Sequence, residues 1–145
     1  MEKYDGNVHI DHIGIACNDL EVSSKFWRLI GLNESENDEI VEEQGVKTRF
    51  FDTSTVTEID APPRFELLEP TGSDTPIGKF LDKRGEGVQQ VCIRVDDIEK
   101  MIRHLISNGI KMINETPVKG THDCLIAFVH PKSTGGVLIE LAQKN

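Results

Sequence analysis

Residues 9–21, His-Ile-Asp-His-Ile-Gly-Ile-Ala-Cys-Asn-Asp-Leu-Glu, can be laid over residues 87–99, Gly-Val-Gln-Gln-Val-Cys-Ile-Arg-Val-Asp-Asp-Ile-Glu. Ile13 falls on Val91, Ile15 on Ile93, Asp19 on Asp97, Leu20 on Ile98 and Glu21 on Glu99, at a constant offset of 78 residues. The same offset carries Gly31 onto Gly109 and Phe50 onto Phe128. Further along it drops to 74, where Phe65, Glu66 and Leu67 meet Ile139, Glu140 and Leu141. Self-similarity at a fixed spacing marks a duplicated supersecondary unit. The change of offset predicts about four extra residues in the Thr53–Pro63 loop of the first copy.

Each copy opens as a strand. Ile13, Ile15 and Cys17 alternate with smaller residues, and Val91, Ile93 and Val95 do the same. A helix is expected next in each. Asn18 and Asp96 are placed to cap it, with Glu21 and Glu99 three residues on completing a capping box. The helices should run to about Ile30 and Asn108 and stop at Gly31 and Gly109, which accept the left-handed conformation past a helix end. Ile98, Met101, Ile102, Leu105 and Ile106 form the expected buried stripe of the second helix, and Phe26, Trp27 and Ile30 that of the first.

Three strands should follow each helix: Asn33–Val41, Val46–Asp52 and Arg64–Glu69 in the first copy, and Lys111–Asn114, Leu125–His130 and Gly136–Ala142 in the second. A short helix over Pro76–Arg84 is expected in the polar connection, because Thr75-Pro76 is a helix start. The expected fold is therefore α+β: two tandem βαβββ modules forming a cleft between curved mixed sheets. One domain of residues 1–145 is expected, with module 1 at about 9–70, the linker and short helix at 71–86 and module 2 at about 87–143.

Bulk properties narrow the function. The chain has 145 residues and a net charge of −9, so it repels phosphate backbones and nucleic acid is not an expected partner. No apolar run is long enough to span a membrane. The polar, acidic opening Met-Glu-Lys-Tyr-Asp lacks the apolar core of a signal peptide, so a cytoplasmic location is expected. An anionic ligand would need local cations, which occur at Lys79, Lys83 and Arg84 and at Lys119 and Lys132. Cys17, Cys92 and Cys124 read as reduced thiols, the first two inside apolar strand runs, with a reactive Cys124 in its loop as the alternative reading.

Four polar residues interrupt apolar strands at equivalent places. His12 and Gln90 stand at the start of the first strand of each copy, Glu66 and Glu140 in the last. Burying carboxylates is costly, and a cation removes the cost. One imidazole nitrogen, one amide oxygen and two carboxylates suit a single divalent ion, Co²⁺, Mn²⁺, Mg²⁺, Ni²⁺ or Zn²⁺, with positions left for water or substrate. Taken singly, each residue also reads as an ordinary strand residue, and the repeat is what joins them.

These features sit among longer motifs: Glu-Glu-Gln-Gly-Val (42–46), Phe-Glu-Leu-Leu-Glu-Pro (65–70), Pro-Ile-Gly-Lys-Phe-Leu (76–81), Lys-Arg-Gly-Glu-Gly-Val (83–88), Val-Asp-Asp-Ile (95–98) and His-Pro-Lys-Ser-Thr-Gly-Gly-Val-Leu-Ile-Glu-Leu (130–141). With them the chain resembles, over roughly residues 9–143, the vicinal-oxygen-chelate superfamily and within it the methylmalonyl-CoA epimerase family. The resemblance implies the paired-module fold and a divalent metal held by His12, Glu66, Gln90 and Glu140. It also implies an acyl-CoA substrate and interconversion of the 2R and 2S forms of methylmalonyl-CoA, a step of propionate metabolism. A homodimer is a common assembly among such relatives.

Two departures from the family pattern stand out. Gly-Val-Gln-Gln (87–90) replaces the usual Gly-[Val/Ile/Leu]-His-His, so an amide oxygen takes the place of an imidazole. Thr48 stands on a strand where some relatives carry an acid, and a hydroxyl cannot take a proton at neutral pH. Glu140 is the first candidate for the acid/base group, followed by Glu43 and then by His122 in the loop Lys-Gly-Thr-His-Asp-Cys (119–124). Gln44, Lys119 and Lys132 are candidate substrate contacts. Two other readings stay open. One is another metal-dependent enzyme of the superfamily, such as a glyoxalase-like lyase. The other is a non-catalytic small-molecule binder, which should carry more aromatic residues than the 6% found. Iron–oxygen chemistry is disfavoured because the second histidine of its ligand triad is missing.

Overall fold

In the computed structural model, which describes residues 2–53 and 63–144, the duplicated sequence becomes a duplicated strand order. The elements are β1 (Val8–Ala16), α1 (Leu20–Leu29), β2 (Asn33–Glu34), β3 (Glu39–Val41), β4 (Val46–Asp52), β5 (Arg64–Pro70), α2 (Pro76–Arg84), β6 (Gly87–Val95), α3 (Ile98–Ser107), β7 (Val118–Lys119), β8 (Leu125–Val129) and β9 (Ile139–Gln143). Two compact units result. The first is His12–Gln89, and the second is Gln90–Asn145 together with Met1–Asp11.

Within the first unit the strand order is β2-β4-β5-β1, with β3 hydrogen-bonded to β4. β1 and β5 run parallel, and the other pairs are antiparallel. Within the second unit the order is β6-β9-β8-β7, again with the first and last strands of the repeat, β6 and β9, parallel. The helix after the first strand returns the chain to the end at which that strand began, and the antiparallel succession that follows brings the last strand beside the first in parallel.

Each sheet buries one face under its own helix. Cys17, Leu20, Phe51 and Leu67 pack with Trp27 and Phe65 beneath α1. Val95, Ile98, Met101, Ile102, Ala127, Val129 and Leu141 pack beneath α3. Each such side chain contributes roughly 1.5–3 kcal/mol by leaving water. On the opposite face, Ala16, Val46 and Leu68 meet Ile77 of α2 in the first unit, and Cys92, Ile126 and Ala142 cluster in the second.

Helix starts differ from the sequence expectation by one residue. The caps are Asp19 and Asp97, whose carboxylates accept from Val22 N–H and Lys100 N–H. Asp96 instead accepts from Tyr4 O–H and Asn7 N–H, and Glu21 turns to Arg28 and Arg49, so no capping box forms. The Tyr4–Asp96 contact, the Lys100–Asp5 pair and the Arg94–Asp11 pair tie the N-terminal segment to the second unit. Burial and the Asp96 carboxylate push the Tyr4 phenol up to about 12. Gly31 and Gly109 end the helices with φ of 93° and 83°, as expected.

The apolar stripes also need correction. In α1 the inner face is Leu20, Ser24 and Trp27, spaced at i, i+4 and i+7, while Phe26 and Ile30 are exposed. At 100° per residue those two lie well off the inner face. Ile106 is likewise exposed. Residues 33–41 form two short strands, β2 and β3, not one. Of Lys111–Asn114 only Met112 makes a bridge, to Val129, and the edge strand is Val118–Lys119. The last strand begins at Ile139, because Gly135 and Gly136 take positive φ before it. Helix Pro76–Arg84 forms with Thr75 as its cap. The expected extra residues of the 53–63 loop fall largely on positions 54–62, outside the described residues.

Candidate active site

The strand register explains why four polar side chains end up buried. In the first unit Gly14 of β1 and Phe50 of β4 both lie opposite Glu66 of β5. In the second unit Cys92 of β6 and Phe128 of β8 both lie opposite Glu140 of β9. Directly opposed residues point to one face of a sheet, and so do residues two apart on a strand. His12 therefore shares a face with Glu66, and Gln90 with Glu140. In both units this is the face turned away from the α1 or α3 core.

The pairs are in contact. His12 Nε2 lies 3.4 Å from Glu66 Oε1. Gln90 Nε2 lies 3.3 Å from Glu140 Oε1, donating a hydrogen bond. His12, Glu66, Gln90 and Glu140 are 4, 3, 6 and 7% exposed, so none is the solvent-facing strand residue it would be if read alone. Phe50 meets the His12 ring edge-on at 5.4 Å, and the Arg64 guanidinium stacks on Phe50 at 4.0 Å.

Each pair by itself offers nitrogen or oxygen donors, one of them a carboxylate, removed from water, the donor types a hard or borderline divalent cation takes. Gln90 presents its NH₂ group to Glu140 in this structure. Rotating the amide by half a turn presents Oε1 instead, the atom a cation would need.

The remaining candidates sit on turns. Glu43 (exposed) and Gln44 (half-buried) form the 3₁₀ turn Glu42–Gln44 between β3 and β4, closed by Gly45 in the left-handed conformation. Lys119 ends β7 and is exposed, as is Lys132, whose N–H donates to His130 Nδ1. His122 is exposed and has φ 53°, followed by Asp123 at 57°, two successive non-glycine residues in the left-handed region. Thr48 is buried on the same face as Glu66, and its Oγ1 has no hydrogen-bond partner among the described residues. All three cysteines are free thiols. Burial pushes Cys17 up to about 11 and also raises Cys124.

One residue of this face escaped the sequence reading. Arg94, two positions beyond Cys92, lies opposite Ala142 and shares the face of Glu140. Its Nη2 pairs with the Asp11 carboxylate. The signal was present in the alternation Gln90, Cys92, Arg94, which places all three on one side of a strand.

Comparison with known proteins gives a consistent answer. Residues 11–128 match the family model described as the Glyoxalase/Bleomycin resistance protein/Dioxygenase superfamily. A mitochondrial methylmalonyl-CoA epimerase of Mus musculus is 36% identical over 136 residues, covering 92% of this chain and 72% of that protein. The crystal structure of methylmalonyl-CoA epimerase from Mycobacterium tuberculosis superposes with a TM-score of 0.85 at 36% identity, over 94% of this chain and 87% of that one. A Streptomyces coelicolor methylmalonyl-CoA epimerase in complex with 2-nitronate-propionyl-CoA superposes with a TM-score of 0.86 at 35% identity, over 94% of each chain.

Proposed function

The chain belongs to the Glyoxalase/Bleomycin resistance protein/Dioxygenase superfamily, and from that membership we propose that it is an isomerase interconverting (2R)- and (2S)-methylmalonyl-CoA. The observation that carries this reading is the matched pair in each unit: a buried donor from the first strand beside a buried glutamate from the last, at equivalent register. Support for the substrate comes from the relatives, three epimerases of the same name.

His12, Glu66, Gln90 and Glu140 are the proposed ligands of one divalent ion. When bound, that ion supplies electrophilic stabilisation of the negative charge that gathers on the thioester oxygen as C2 loses its proton. The chain's own residues do the rest. Glu140 takes the C2 proton. Glu66 fixes the imidazole of His12, with Phe50 against the ring. Apolar side chains flank each pair within its own unit, Leu68 in the first and Ile126 and Ala142 in the second, and exclude water there. Thr48 cannot return a proton, so the second acid/base group is assigned to Glu43 on the β3–β4 turn, with His122 next in order. Gln44, Lys119 and Lys132 are assigned to substrate contacts.

A cytoplasmic setting is proposed on the strength of three free thiols. No helix among the described residues is long and apolar enough to cross a membrane. A homodimer is the proposed assembly. It is supported by the exposed apolar stripe Val22, Phe26, Leu29 and Ile30 on α1, whose repeat-mates on α3, Lys100, His104, Ser107 and Asn108, are polar.

The test is exchange of the C2 proton of methylmalonyl-CoA in D₂O, followed by NMR, on metal-stripped protein with and without Co²⁺ or Mn²⁺. Exchange that needs metal and scrambles C2 is the expected result, and Glu140→Gln should lower its rate by about 10²–10⁴. Absence of exchange with every metal would overturn the assignment. It would leave another reaction of the superfamily, with Gln90 and Thr48 marking a different substrate.

A further inference from the structure

The inner face of the second unit carries a cation that the repeat does not require. Arg94 corresponds to Ala16 in the first copy, so the fold is satisfied by a methyl group at this position. Its register partner Ala142 and the next residue across, Ile126, are both apolar and buried. A guanidinium placed among them costs desolvation, which the Asp11 carboxylate offsets in part through its contact with Nη2. Nη2 carries a second N–H, and that N–H together with Nη1 or Nε makes an edge of the planar fork whose shape matches an oxyanion.

Its place on the face is specific. Arg94 is one pleat beyond Cys92, and Cys92 lies directly opposite Glu140. The Asp11 carboxylate that holds Arg94 comes within 4.8 Å of the Cys92 thiol. The ion pair thus sits over the residue beside the proposed base. The chain's net charge of −9 makes an anion unwelcome here unless a local cation receives it. The substrate of the proposed reaction differs from an ordinary acyl-CoA by one such group, the free carboxylate on C2.

We infer that Arg94, oriented by Asp11, is the specificity-determining cation that receives the free carboxylate of a dicarboxylic acyl-CoA. The inference rests on the proposed epimerase reading and names how the site selects its acyl group. The guanidinium holds the carboxylate on the side of C2 toward Arg94, so that the C2 proton is left facing Glu140. Asp11 is a positioning residue, acting through Arg94.

The test compares binding of methylmalonyl-CoA with binding of propionyl-CoA, which lacks only that carboxylate, by calorimetry on the metal-loaded protein. The wild type should prefer methylmalonyl-CoA by about tenfold to a hundredfold, the range expected of a charge-assisted bidentate contact. Arg94→Gln should bring the two affinities within about threefold of each other by weakening methylmalonyl-CoA alone, and Arg94→Lys should keep part of the preference. Asp11→Asn should keep the preference while raising KM more than it lowers kcat. An unchanged preference in Arg94→Gln overturns the inference. So does an equal loss for both thioesters, which would assign the fork to a phosphate of the CoA portion. Should Arg94→Gln fail to fold, Arg94→Lys carries the same comparison. The two readings fail separately. Wild-type protein that exchanges no C2 proton sinks the epimerase, whereas wild-type exchange with an Arg94→Gln preference intact sinks only the role of Arg94.

Discussion

The first unit holds its buried glutamate beside an imidazole, and the second holds its own beside an amide. The backbone around them is the same: Gly14, Glu66 and Phe50 in one register row, Cys92, Glu140 and Phe128 in the other. One row further along, Ala16, Leu68 and Thr48 stand where the second unit has Arg94, Ala142 and Ile126. Duplication thus preserved the pairing that positions side chains and released the side chains themselves. The unequal pairs are where chemistry can differ: one unit keeps the better transition-metal donor, the other keeps the internal cation.

The two helices differ in the same way. α3 buries Ile98, Met101 and Ile102, whereas α1 buries Leu20 and Ser24 and leaves Val22, Phe26, Leu29 and Ile30 exposed. The first unit makes up for its thin helix interface with ions. Arg49 pairs both nitrogens of its fork with Asp38, at 2.7 and 2.8 Å, and reaches Glu21 and Ser24 of α1. Arg28 joins Glu21 and Glu34 to the same cluster.

The largest effect that would break the comparison is in the helix cores. Ile102→Ala should cost about 2–5 kcal/mol, because it removes buried methylenes and leaves a cavity under α3. Ile30→Ala, at the end of α1, should cost no more than about 0.5 kcal/mol. Chemical denaturation of both variants measures the difference, and equal losses would show that α1 is covered in solution.

A smaller effect sharpens the contrast between the two proposed ligand pairs. Gln90→His makes the second unit match the first. It should tighten Co²⁺ or Ni²⁺ binding by about tenfold or more, since imidazole outranks an amide oxygen for late transition metals. Competition with a chelator reads this directly. Unchanged affinity would remove Gln90 from the ligand set.

The smallest concerns acid. Hydrogen bonds from Arg28 and then Arg49 hold Glu21 down at about 2, Arg28 lowers Glu34, and Arg49 lowers Asp38. Groups with depressed folded values contribute stability that is fully present above the ordinary carboxylate range. That stability is lost as pH falls from about 4.5 towards 2. Amide exchange in α1 and β4 should therefore accelerate over that window before exchange in α3 does. Arg49→Met should abolish most of the difference. These charges are largely exposed, so the shift should shrink in high salt.

The duplication, the parallel pairing it requires, the glycine helix ends and the four polar strand residues were all legible in the chain. Each depends on spacing, and spacing survives when neighbours are unknown. Helix 76–84 was legible for the same reason, through Thr75 and Pro76. The caps were missed by one residue because Asn18-Asp19 and Asp96-Asp97 each offer two adjacent capping side chains. Tyr4, 92 residues away in sequence from Asp96, takes one of them. Only the tertiary structure could decide that. It also decided that Phe26 and Ile30 face outward, that Glu21 serves Arg49 and not its own helix start, and that Asp11 holds Arg94 on the face of Glu140. The sequence by itself determined which residues recur and on which side of a strand they fall, because backbone geometry has a fixed period. Which partner each charge or apolar surface finds depends on segments brought together from far apart, and no local period encodes that.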